Sequence, residues 1–524
     1  MIGATVVVIA YDDPDHLPTA VASALAQGDV VGEVVVVDDA STDETPRVAD
    51  ALAADPRVRV VHRTVNSGGC GTPRNDGILA ARGEWVLFLD SDDVLPEGAV
   101  TALARAARAD DADVVAGLAV RRELPEGRDV PWQPRLFAER STHEGIAERP
   151  ETLWDTLCVN KLYRRAFLDL HDIRFPDGAA HYEDFSFTAR VYAAEPRLSV
   201  IPDTVYLWHV RRGATNPSIS LRRDGIRNWL DRVEAHRCVV DILRTAGHEE
   251  LAEAAQAKFL GHDLALYLRE LPVRSDDYRE QWWTAARTYL AGFAPGAFRR
   301  APMPARWAGA LLSAAEHPVD VVRLAHLSAA PARLLPPYAA DADGQPVWSA
   351  DRPLNRLDGL TGAAAADLPL CVEGTPRFTR RLGARVDLDV HVVEQYGLLA
   401  RHRPIALSVE ARHRLGDEVR QLGSARMRPV GDGWRAHLEF DLGALAHGTA
   451  MNTWDLWATV RCGDTEAITT RLRAVGGPGR RVRSSRHGVL LVQPYTTANG
   501  SLALRVADGV AGARRVLNGR LGRH

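Results

Sequence analysis

The segment WVLFLDSDD (residues 85–93) decides the class of fold, because an apolar run ends here in a cluster of carboxylates. A run of five apolar residues without alternation is typical of a strand buried on both faces of a parallel sheet. Asp90, Asp92 and Asp93 follow within four positions, and like charges this close repel one another unless a cation lies between them. The segment therefore predicts an α/β sheet with a charged ligand at the carboxyl end of this strand.

The first 120 residues repeat the alternation of apolar strand and amphipathic helix. Strands are predicted at residues 5–10, 33–38, 58–62, 85–90 and 113–120, and helices at 17–27, 45–54, 73–81 and 98–109. This order favours a mostly parallel sheet covered by helices on both faces, which binds its ligand where the strands end.

Downstream, the pattern changes twice, and it predicts the following domains. Residues 1–218 form the α/β domain, residues 219–335 a helical region, and clustered prolines indicate a linker at 336–364. From residue 365 apolar residues recur at every second position, which predicts an all-β sandwich over 365–510, followed by a basic tail at 511–524. Trp434, Trp454 and Trp457 are expected in the sandwich core in preference to stacking on sugar rings.

Composition limits the partners and the compartment. The 524 residues carry a net charge of −4, which predicts no nucleic-acid partner. Five scattered cysteines fit a reducing compartment, and the apolar N-terminus has no basic segment before it. No apolar run reaches the roughly 18 residues of a membrane span. We expect a cytoplasmic protein, located either in solution or at the inner face of the cell membrane.

Acidic residues cluster in three places, at 36–43, 88–93 and 181–185. A single cluster of this kind is more often a helix cap or a solvated turn. Three clusters at one edge of a parallel sheet suit a divalent cation, which takes one or two carboxylates and completes its shell with phosphate oxygens and water. The sequence therefore predicts a phosphorylated ligand held with Mn²⁺ or Mg²⁺.

Four separated motifs carry a resemblance to a known family. They are VIAYDD (8–13), VVDDASTDET (36–45), NSGGCGTPRNDGILAARGEWVLFLDSDDVLPEGAV (66–100) and HYEDFSFTARVY (181–192). In this order they resemble family 2 glycosyltransferases of the GT-A fold, over residues 1 to about 215. The resemblance implies an inverting, metal-dependent enzyme that transfers a sugar from a nucleotide-sugar donor, usually UDP-linked, to a hydroxyl group.

The resemblance also implies how the donor is held. Asp90 would face the nucleoside sugar and Asp92 would bind the metal at the diphosphate. Asp39 would hydrogen-bond the nucleobase, and Tyr11 would line the same pocket. Arg74 would pair with the diphosphate, with its neighbour Asn75 in a supporting role. The alternative for Arg74 is a structural role, in which it caps its own helix environment.

Further residues are assigned to catalysis and to the metal shell. The second residue of the Glu-Asp pair, Asp184, would be the general base that deprotonates the acceptor hydroxyl, with Glu183 in support. The segment YLWHVRR (206–212) lies where such enzymes place a histidine on the metal, which makes His209 a second ligand, although packing on its strand is an equal alternative for this side chain.

The acceptor is implied only as a class. NKLYRRAFL (160–168), together with the Glu-Asp motif and YLWHVRR, is similar to bacterial enzymes that decorate wall teichoic acids and capsular polymers. The expected acceptor is a polyol-phosphate, a polysaccharide or a lipid-linked glycan. Peripheral membrane association is compatible with such acceptors, and the β region is expected either to bind polymer or to form a homo-oligomer.

Two alternatives from other classes compete with this interpretation. An apolar strand followed by DSDDV also fits haloacid-dehalogenase-like phosphohydrolases, in which Asp90 would be the nucleophile and Asp92 the acid/base. That chemistry needs a downstream lysine, for which Lys161 is available, and a second acidic pair after a strand, which the segment before Glu183 does not provide. The third option is a non-catalytic carbohydrate-binding or scaffold protein, which does not explain why both the DSD and the Glu-Asp motifs are present.

Overall fold

The computed structural model describes most of the chain. The described residues are 3–125, 127–179, 181–211, 223–378, 385–446, 451–463, 466–473, 480–484, 488–497 and 499–508, so the predicted basic tail at 511–524 lies outside them. The chain forms two compact units. The first comprises Met1–Phe259 and Gly292–Arg300, and the second comprises Leu260–Ala291 and Ala301–His524.

The first unit is built on one nine-stranded sheet. Its strands are β1 Ala4–Ala10, β2 Val31–Asp38, β3 Val58–His62, β4 Trp85–Asp90, β5 Val114–Leu124, β6 Arg128–Pro131, β7 Ser141–His143, β8 Lys161–Arg164 and β9 Leu198–Arg211. Its helices are α1 Leu17–Leu25, α2 Thr45–Leu52, α3 Gly71–Ala80, α4 Ala99–Ala109, α5 Arg165–Leu170, α6 Glu183–Ala193, α7 Ile226–Thr245, α8 Glu249–Lys258 and, after an excursion into the second unit, α11 Pro295–Arg300.

The sheet is mostly parallel, with strand order β3-β2-β1-β4-β8-β5-β9-β7 and β6 beside β5. The short strand β8 runs antiparallel between β4 and β5, whereas β5 and β9 are parallel. In the register, Ile9 lies opposite Asp90 and Ala10 lies opposite Asp38. The acidic residues that end β2 and β4 therefore lie beside the end of β1, at one edge of the sheet.

Close packing of α3 against β1 fixes the helix that carries Arg74. All seven residues of β1 are buried, as expected for a strand that is apolar on both faces. Gly77 of α3 approaches this strand so closely that a Cβ atom there would lie 2.1 Å from Cγ1 of Val7. Only glycine permits this distance, so α3 is held against the centre of the sheet.

The second unit combines helices with antiparallel sheets. Its helices are α9 Leu264–Leu268, α10 Asp276–Leu290, α12 Met303–Ala314, α13 Val321–Leu327 and α14 Leu398–Arg401. Its strands are β10 Ala339–Ala340, β11 Pro346–Ser349, β12 Arg352–Arg356, β13 Val372–Phe378, β14 Arg385–Val393, β15 Pro404–His413, β16 Val419–Arg426, β17 Arg428–Val430, β18 Gly433–Asp441, β19 Met451–Cys462, β20 Glu466–Arg471, β21 Arg480–Ser484, β22 Gly488–Thr496 and β23 Leu502–Asp508.

These strands form three sheets. A three-stranded sheet, β10-β11-β12, occupies the range predicted as a linker. The other two have the orders β13-β14-β18-β17 and β16-β15-β19-β23-β22-β21, with β20 beside β19. Trp454 is fully buried in the larger of these sheets, whereas the half-exposed Trp457 lies between Arg412 and Arg471. The predicted fold class, a mostly parallel α/β domain followed by helices and antiparallel β-sheets, is confirmed.

None of the helices in the described part of the chain combines the length and the apolarity needed to cross a bilayer.

Candidate active site

A buried arginine joins two of the acidic motifs. Arg74 lies in the first turns of α3 and is 3% exposed. Its Nη2 donates to Oδ1 of Asp90 at 2.7 Å and its Nη1 donates to Oε1 of Glu183 at 2.5 Å. Its guanidinium also packs over the ring of Phe175, with Cζ 5.4 Å from the ring centroid. The DSD motif and the Glu-Asp motif, which are more than ninety residues apart in the chain, therefore meet on one guanidinium.

Asp92 of the DSD motif faces a second arginine. Arg211, at the end of β9, donates through Nη1 to Oδ2 of Asp92 at 3.2 Å and through both Nη atoms to the backbone oxygen of Asp92 at 3.1 Å. Burial, followed by the charge of Asp90, raises the pKa of Asp92 to about 6, and Arg211 opposes this shift. The carboxylate thus sits in a region with an excess of negative charge.

Asp93 has a structural role instead of capping a helix at the surface. Its buried carboxylate accepts a hydrogen bond from the hydroxyl of Tyr206 and another from the backbone N–H of His209, both at 2.7 Å. Both donors belong to β9, so Asp93 fixes the end of this strand beside the DSD turn. The ring of His209 then lies with Nδ1 3.2 Å from the backbone oxygen of Asp92.

Asp39 and Tyr11 lie at the same sheet edge. The Asp39 carboxylate is buried and accepts hydrogen bonds from the side-chain amide of Asn66, at 3.1 Å, and from the hydroxyl of Ser67, at 2.7 Å. It also forms an ion pair with Nε of Arg63 at 2.8 Å. Asp39 therefore anchors the loop that leads to α3, while half of the Tyr11 surface is exposed.

Asp184 lies in the first turn of α6, directly after Glu183. It remains partly accessible to solvent, but burial, followed by the charge of Glu183, raises its pKa to about 7. Arg74 and Arg232 oppose this shift. A carboxylate with this pKa exchanges protons readily near neutral pH, which is what a general base requires.

Asn75 acts on the neighbouring loop. Its Nδ2 donates to the backbone oxygen of Phe175 at 2.9 Å, and its Oδ1 accepts from the backbone N–H of Phe175 at 2.8 Å. Both polar atoms of the amide bond to the backbone of one residue. Asn75 therefore holds in place the aromatic ring against which Arg74 packs.

The segment predicted to shape the acceptor side is buried. Lys161 and Asn160 are 0% exposed, and Nζ of Lys161 pairs with Oδ2 of Asp155 at 2.6 Å. The Asn160 side chain donates to the same Asp155 oxygen at 3.0 Å. These residues hold the loop before β8 and do not reach a ligand. The phosphohydrolase alternative thereby loses the downstream lysine that it requires.

Sequence patterns miss most of these pairings. Arg74, Arg211 and Asp93 each bond to a residue on a different element, and only the fold brings the partners together. One available signal was the position of Arg211, two residues after His209 on a strand that the family resemblance already placed at the donor.

The chemistry of the side chains fits a divalent cation, although the described residues contain no group of three or more His, Cys, Asp and Glu side chains arranged to hold one. The charges of Asp90 and Asp13 raise the pKa of Asp92, so a cation at this carboxylate would relieve repulsion. Burial lowers the pKa of His209, which favours the neutral imidazole that metals bind. The contact of its Nδ1 with a backbone oxygen places the hydrogen there and leaves the lone pair on Nε2.

The mostly parallel sheet ends in carboxylates, and a buried arginine lies between two of them, beside an aspartate with a raised pKa. This arrangement is the one expected of a transferase that handles a phosphorylated donor. The sequence profile of Glycosyl transferase family 2 matches residues 5–170. Glycosyltransferase GlyG of Streptococcus pneumoniae is 30% identical over 233 residues, which cover 42% of this chain and 76% of GlyG. The chain belongs to glycosyl transferase family 2.

Two further relatives are named for succinoglycan and for poly(ribitol-phosphate). Succinoglycan biosynthesis protein ExoO of Rhizobium meliloti is 34% identical over 224 residues, 41% of this chain and 63% of ExoO. Poly(ribitol-phosphate) beta-N-acetylglucosaminyltransferase TarS of Staphylococcus aureus is 34% identical over 180 residues, 34% of this chain and 30% of TarS. The matched part of this chain thus spans less than two thirds of either relative.

Solved structures of TarS share the fold. The structure of S. aureus TarS aligns with a TM-score of 0.55 at 19% identity, covering 97% of this chain and 86% of TarS. A structure of TarS residues 1–349 in complex with UDP-GlcNAc aligns with a TM-score of 0.51 at 23% identity, covering 66% of this chain and 96% of that one. The similarity includes the β-rich part of the chain as well as the α/β unit.

Proposed function

We propose that this protein is an inverting glycosyltransferase that moves a sugar from a UDP-linked donor to a hydroxyl group of a cell-surface polymer or its precursor. The observation that carries the proposal is the Arg74 bridge, which holds the DSD motif against the Glu183–Asp184 pair. Membership of the family and the binding of UDP-GlcNAc by a protein of the same fold support the donor class.

Asp184 is the general base in this proposal. Its carboxylate takes the proton of the acceptor hydroxyl while that oxygen attacks the anomeric carbon, and the bond to the diphosphate oxygen breaks on the opposite face. The configuration at the anomeric carbon is inverted. A pKa of about 7 means that Asp184 is ionised in a large share of molecules at neutral pH and is basic enough to accept the proton.

The donor end is assigned to the other residues of the sheet edge. Tyr11 and Asp39 would face the nucleobase, and Asp90 the nucleoside sugar. Asp92 and His209 would hold Mn²⁺ or Mg²⁺, and Asp39 also keeps the loop toward α3 in place. When bound, the cation would supply Lewis-acid stabilisation of the departing diphosphate. Arg74, being held by two carboxylates, would orient Asp90 toward the nucleoside sugar more than it would contact the diphosphate directly.

The relatives' names support the proposed class of acceptor. TarS is named for a poly(ribitol-phosphate) and ExoO for succinoglycan, so a polyol-phosphate, a polysaccharide or a lipid-linked glycan is the proposed acceptor. Peripheral association of a cytoplasmic enzyme with the inner face of the cell membrane would bring it to a lipid-linked acceptor. Homo-oligomerisation or polymer binding through the β-sheets of the second unit completes the proposal.

The test separates donor binding from transfer. Purified Asp184→Asn is expected to bind UDP within a few fold of the wild type by calorimetry, yet to lose transfer or donor hydrolysis by about 10²–10⁴-fold, the usual contribution of a positioned base. A panel of nucleotide sugars, each with and without Mn²⁺, identifies the donor first. Asp203→Asn, an exposed aspartate on β9, is the matched control and is expected to behave as the wild type.

Two outcomes would contradict the proposal. If none of the nucleotide sugars were hydrolysed or transferred by the wild-type protein, the chain would be a binding protein and not an enzyme. If Asp184→Asn lost UDP binding together with turnover, Asp184 would be a donor ligand and another residue would be the base.

A further inference from the structure

Helix α7 makes direct contacts with the motif that carries the base. The hydroxyl of Tyr182 donates to Oδ1 of Asn228 at 3.1 Å. His181 pairs through Nδ1 with Oδ2 of Asp231 at 2.5 Å, and Arg227 pairs through Nε with Oδ1 of the same carboxylate at 2.7 Å. Two consecutive residues of the HYEDF motif are therefore held by one face of α7.

The turn that these contacts hold has an unusual backbone. Tyr182, the residue before α6, has φ 62° and ψ 38°. This is the left-handed backbone conformation, which residues other than glycine rarely adopt. Such a conformation persists only where its surroundings enforce it. Because Glu183 and Asp184 follow immediately, the conformation at Tyr182 sets the direction in which both carboxylates leave the turn.

Arg232 adds charge to the same contact. It is 8% exposed, and its Cζ lies 4.8 Å from the ring centroid of Tyr182 and 5.3 Å from that of Phe185. These two rings flank Glu183 and Asp184 in the chain. The positive charge of Arg232 favours the ionised form of Asp184.

We propose that α7 positions the general base: Asn228 and Asp231 enforce the Tyr182 turn, and Arg232 keeps the Asp184 carboxylate charged. The inference rests on the proposed role of Asp184. It gives a function to a helix whose sequence contains no catalytic motif, and it makes the base site depend on a helix that follows the nine-stranded sheet in the chain.

Several charged or titratable groups face Asp184, and the test must isolate one of them. Glu183 lies on the same helix and raises the pKa of Asp184, whereas Arg74 on α3 and Arg232 on α7 lower it. The thiols of Cys70 and Cys158 lie within electrostatic reach, but burial raises the pKa of both, so they stay neutral near pH 7. Lys258 on α8 is also buried, with Nζ 4.8 Å from the centroid of the Phe185 ring. Of the two arginines that lower the pKa of Asp184, Arg232 is the one that can be changed without breaking the bridge between Asp90 and Glu183.

The experiment is the pH profile of donor hydrolysis, measured on the full chain with UDP-GlcNAc and UDP-glucose as probes. In the wild type, activity falls as the pH falls through the pKa of Asp184. Arg232→Met removes a favourable charge, so this acid limb is expected to move up by about one pH unit, with turnover recovering at high pH. Arg232→Lys keeps the charge and is expected to restore the wild-type profile. Arg237→Met, an exposed arginine on the same helix, is the matched control.

Asp231→Asn tests the positioning contact without altering a residue beside Asp184. We expect kcat to fall about tenfold or more with the donor KM unchanged, since a misplaced catalytic group reduces the rate and leaves binding intact. An unchanged acid limb in Arg232→Met together with an unchanged kcat in Asp231→Asn would overturn the inference, provided that Asp184→Asn shows the selective loss described above. If Asp184→Asn itself showed no such loss, the proposed function would fail first. Should Arg232→Met not fold, the decision rests on the kcat of Asp231→Asn.

Discussion

A single guanidinium connects the DSD motif with the Glu183–Asp184 pair. Arg74 makes one hydrogen bond to Asp90 and one to Glu183, and it is nearly inaccessible to solvent. Its planar fork can satisfy two carboxylates in fixed directions, which a lysine cannot do. The position of each motif therefore depends on the other, and a change in Arg74 acts on both.

Replacing Arg74 by Met is expected to destabilise the protein before any donor binds. Two carboxylates would lose their partner, and breaking a buried ion pair costs about 3–5 kcal/mol; we expect about 3 kcal/mol because Asp90 is a third exposed. The measurement is denaturant unfolding of the protein without donor. An arginine that served only the diphosphate would leave this unfolding free energy unchanged, so an unaltered midpoint would contradict the structural role.

Replacing Asp92 by Asn is expected to have the opposite effect on stability. The pKa of Asp92 is raised from about 3.8 to about 6, so the ionised form is disfavoured in the folded state. This penalty is fully present above about pH 6, shrinks as the pH falls through 6, and is absent below 3.8. Asp92→Asn should therefore melt at or above the wild-type temperature at pH 7.5 and together with it near pH 3.5, while Mn²⁺-supported turnover is lost. Wild-type turnover in this variant would contradict the metal assignment.

At the scale of single residues, the sequence predicts where the motifs lie but not which side chains pair with one another. Asp90 and Asp184 could be placed from residue type and from the resemblance, because the signal for each lies in a few adjacent residues. The partners of Arg74 could not, since they lie 16 and 109 residues away in the chain. The burial of Lys161 with Asp155 was equally invisible, because a lysine is expected at the surface unless its partner is known.

Among the elements, α3 is the one whose packing carries most directly into the site. It presents Arg74 and Asn75 at its start, and it approaches β1 at Gly77. Side chains at the start of a helix keep their positions only if the helix itself does not shift. The glycine in the middle of α3 is therefore as necessary to the site as the arginine near its N-terminus.

Gly77→Ala is expected to displace α3 from the sheet. The new Cβ would clash with the Val7 side chain, and overpacking of a buried contact costs about 1–3 kcal/mol. We expect a lower melting temperature and weaker UDP binding together. Gly362→Ala is the matched control, because nothing lies within 4 Å of a Cβ at that exposed position. Equal melting temperatures for the two variants would show that α3 can accommodate the methyl group.

The elements of the first 120 residues could be predicted closely, and the later ones less so. The four predicted helices end within two residues of the observed ones, because strand and helix periodicities are distinct there. β8 was missed, since four residues are too few to show any period, although this strand separates β4 from β5 in the sheet. The position of a short strand between two strands that are distant in the chain cannot be predicted from the residues of the short strand alone.

At the scale of the whole molecule, the chain passes between its two units more than once. Residues 260–291 belong to the second unit, whereas 292–300 return to the first. The residues assigned here to the donor, the metal and the base all lie within 11–209 and therefore in the first unit. Hydrolysis of the donor should therefore survive a truncation that removes the two large antiparallel sheets. The truncated chain must keep the residues that bury the helices of the second unit.

The residue at which the chain is truncated decides whether the remaining part is stable. Arg323 on α13 is 5% exposed, and it donates to the backbone oxygen of Trp348 at 2.5 Å and stacks on its ring at 3.8 Å. The Trp348 indole N–H donates to Asp320 at 2.7 Å, and the Trp307 indole N–H donates to the backbone oxygen of Asp358 at 3.0 Å. The three-stranded sheet and the residues just after it therefore supply hydrogen-bond and packing partners for the helices that precede them.

We expect a chain ending at residue 362 to fold and to hydrolyse the donor, and a chain ending at residue 344 to be markedly less stable. The shorter chain takes from Arg323 the backbone acceptor and the ring of Trp348, although the hydrogen bonds to Leu335 and Pro337 remain. It also removes a fully buried tryptophan, a loss of about 3–5 kcal/mol. Both truncations remove the Asn499 and Ser501 partners of Arg333, so the difference between them isolates the residues at 345–362. Thermal unfolding measures stability, donor hydrolysis measures the first unit, and size-exclusion chromatography and assays on a long polymer measure what the missing β-sheets contribute. A folded 362-residue chain that could neither bind nor hydrolyse the donor would show that the first unit needs the rest of the chain for its chemistry.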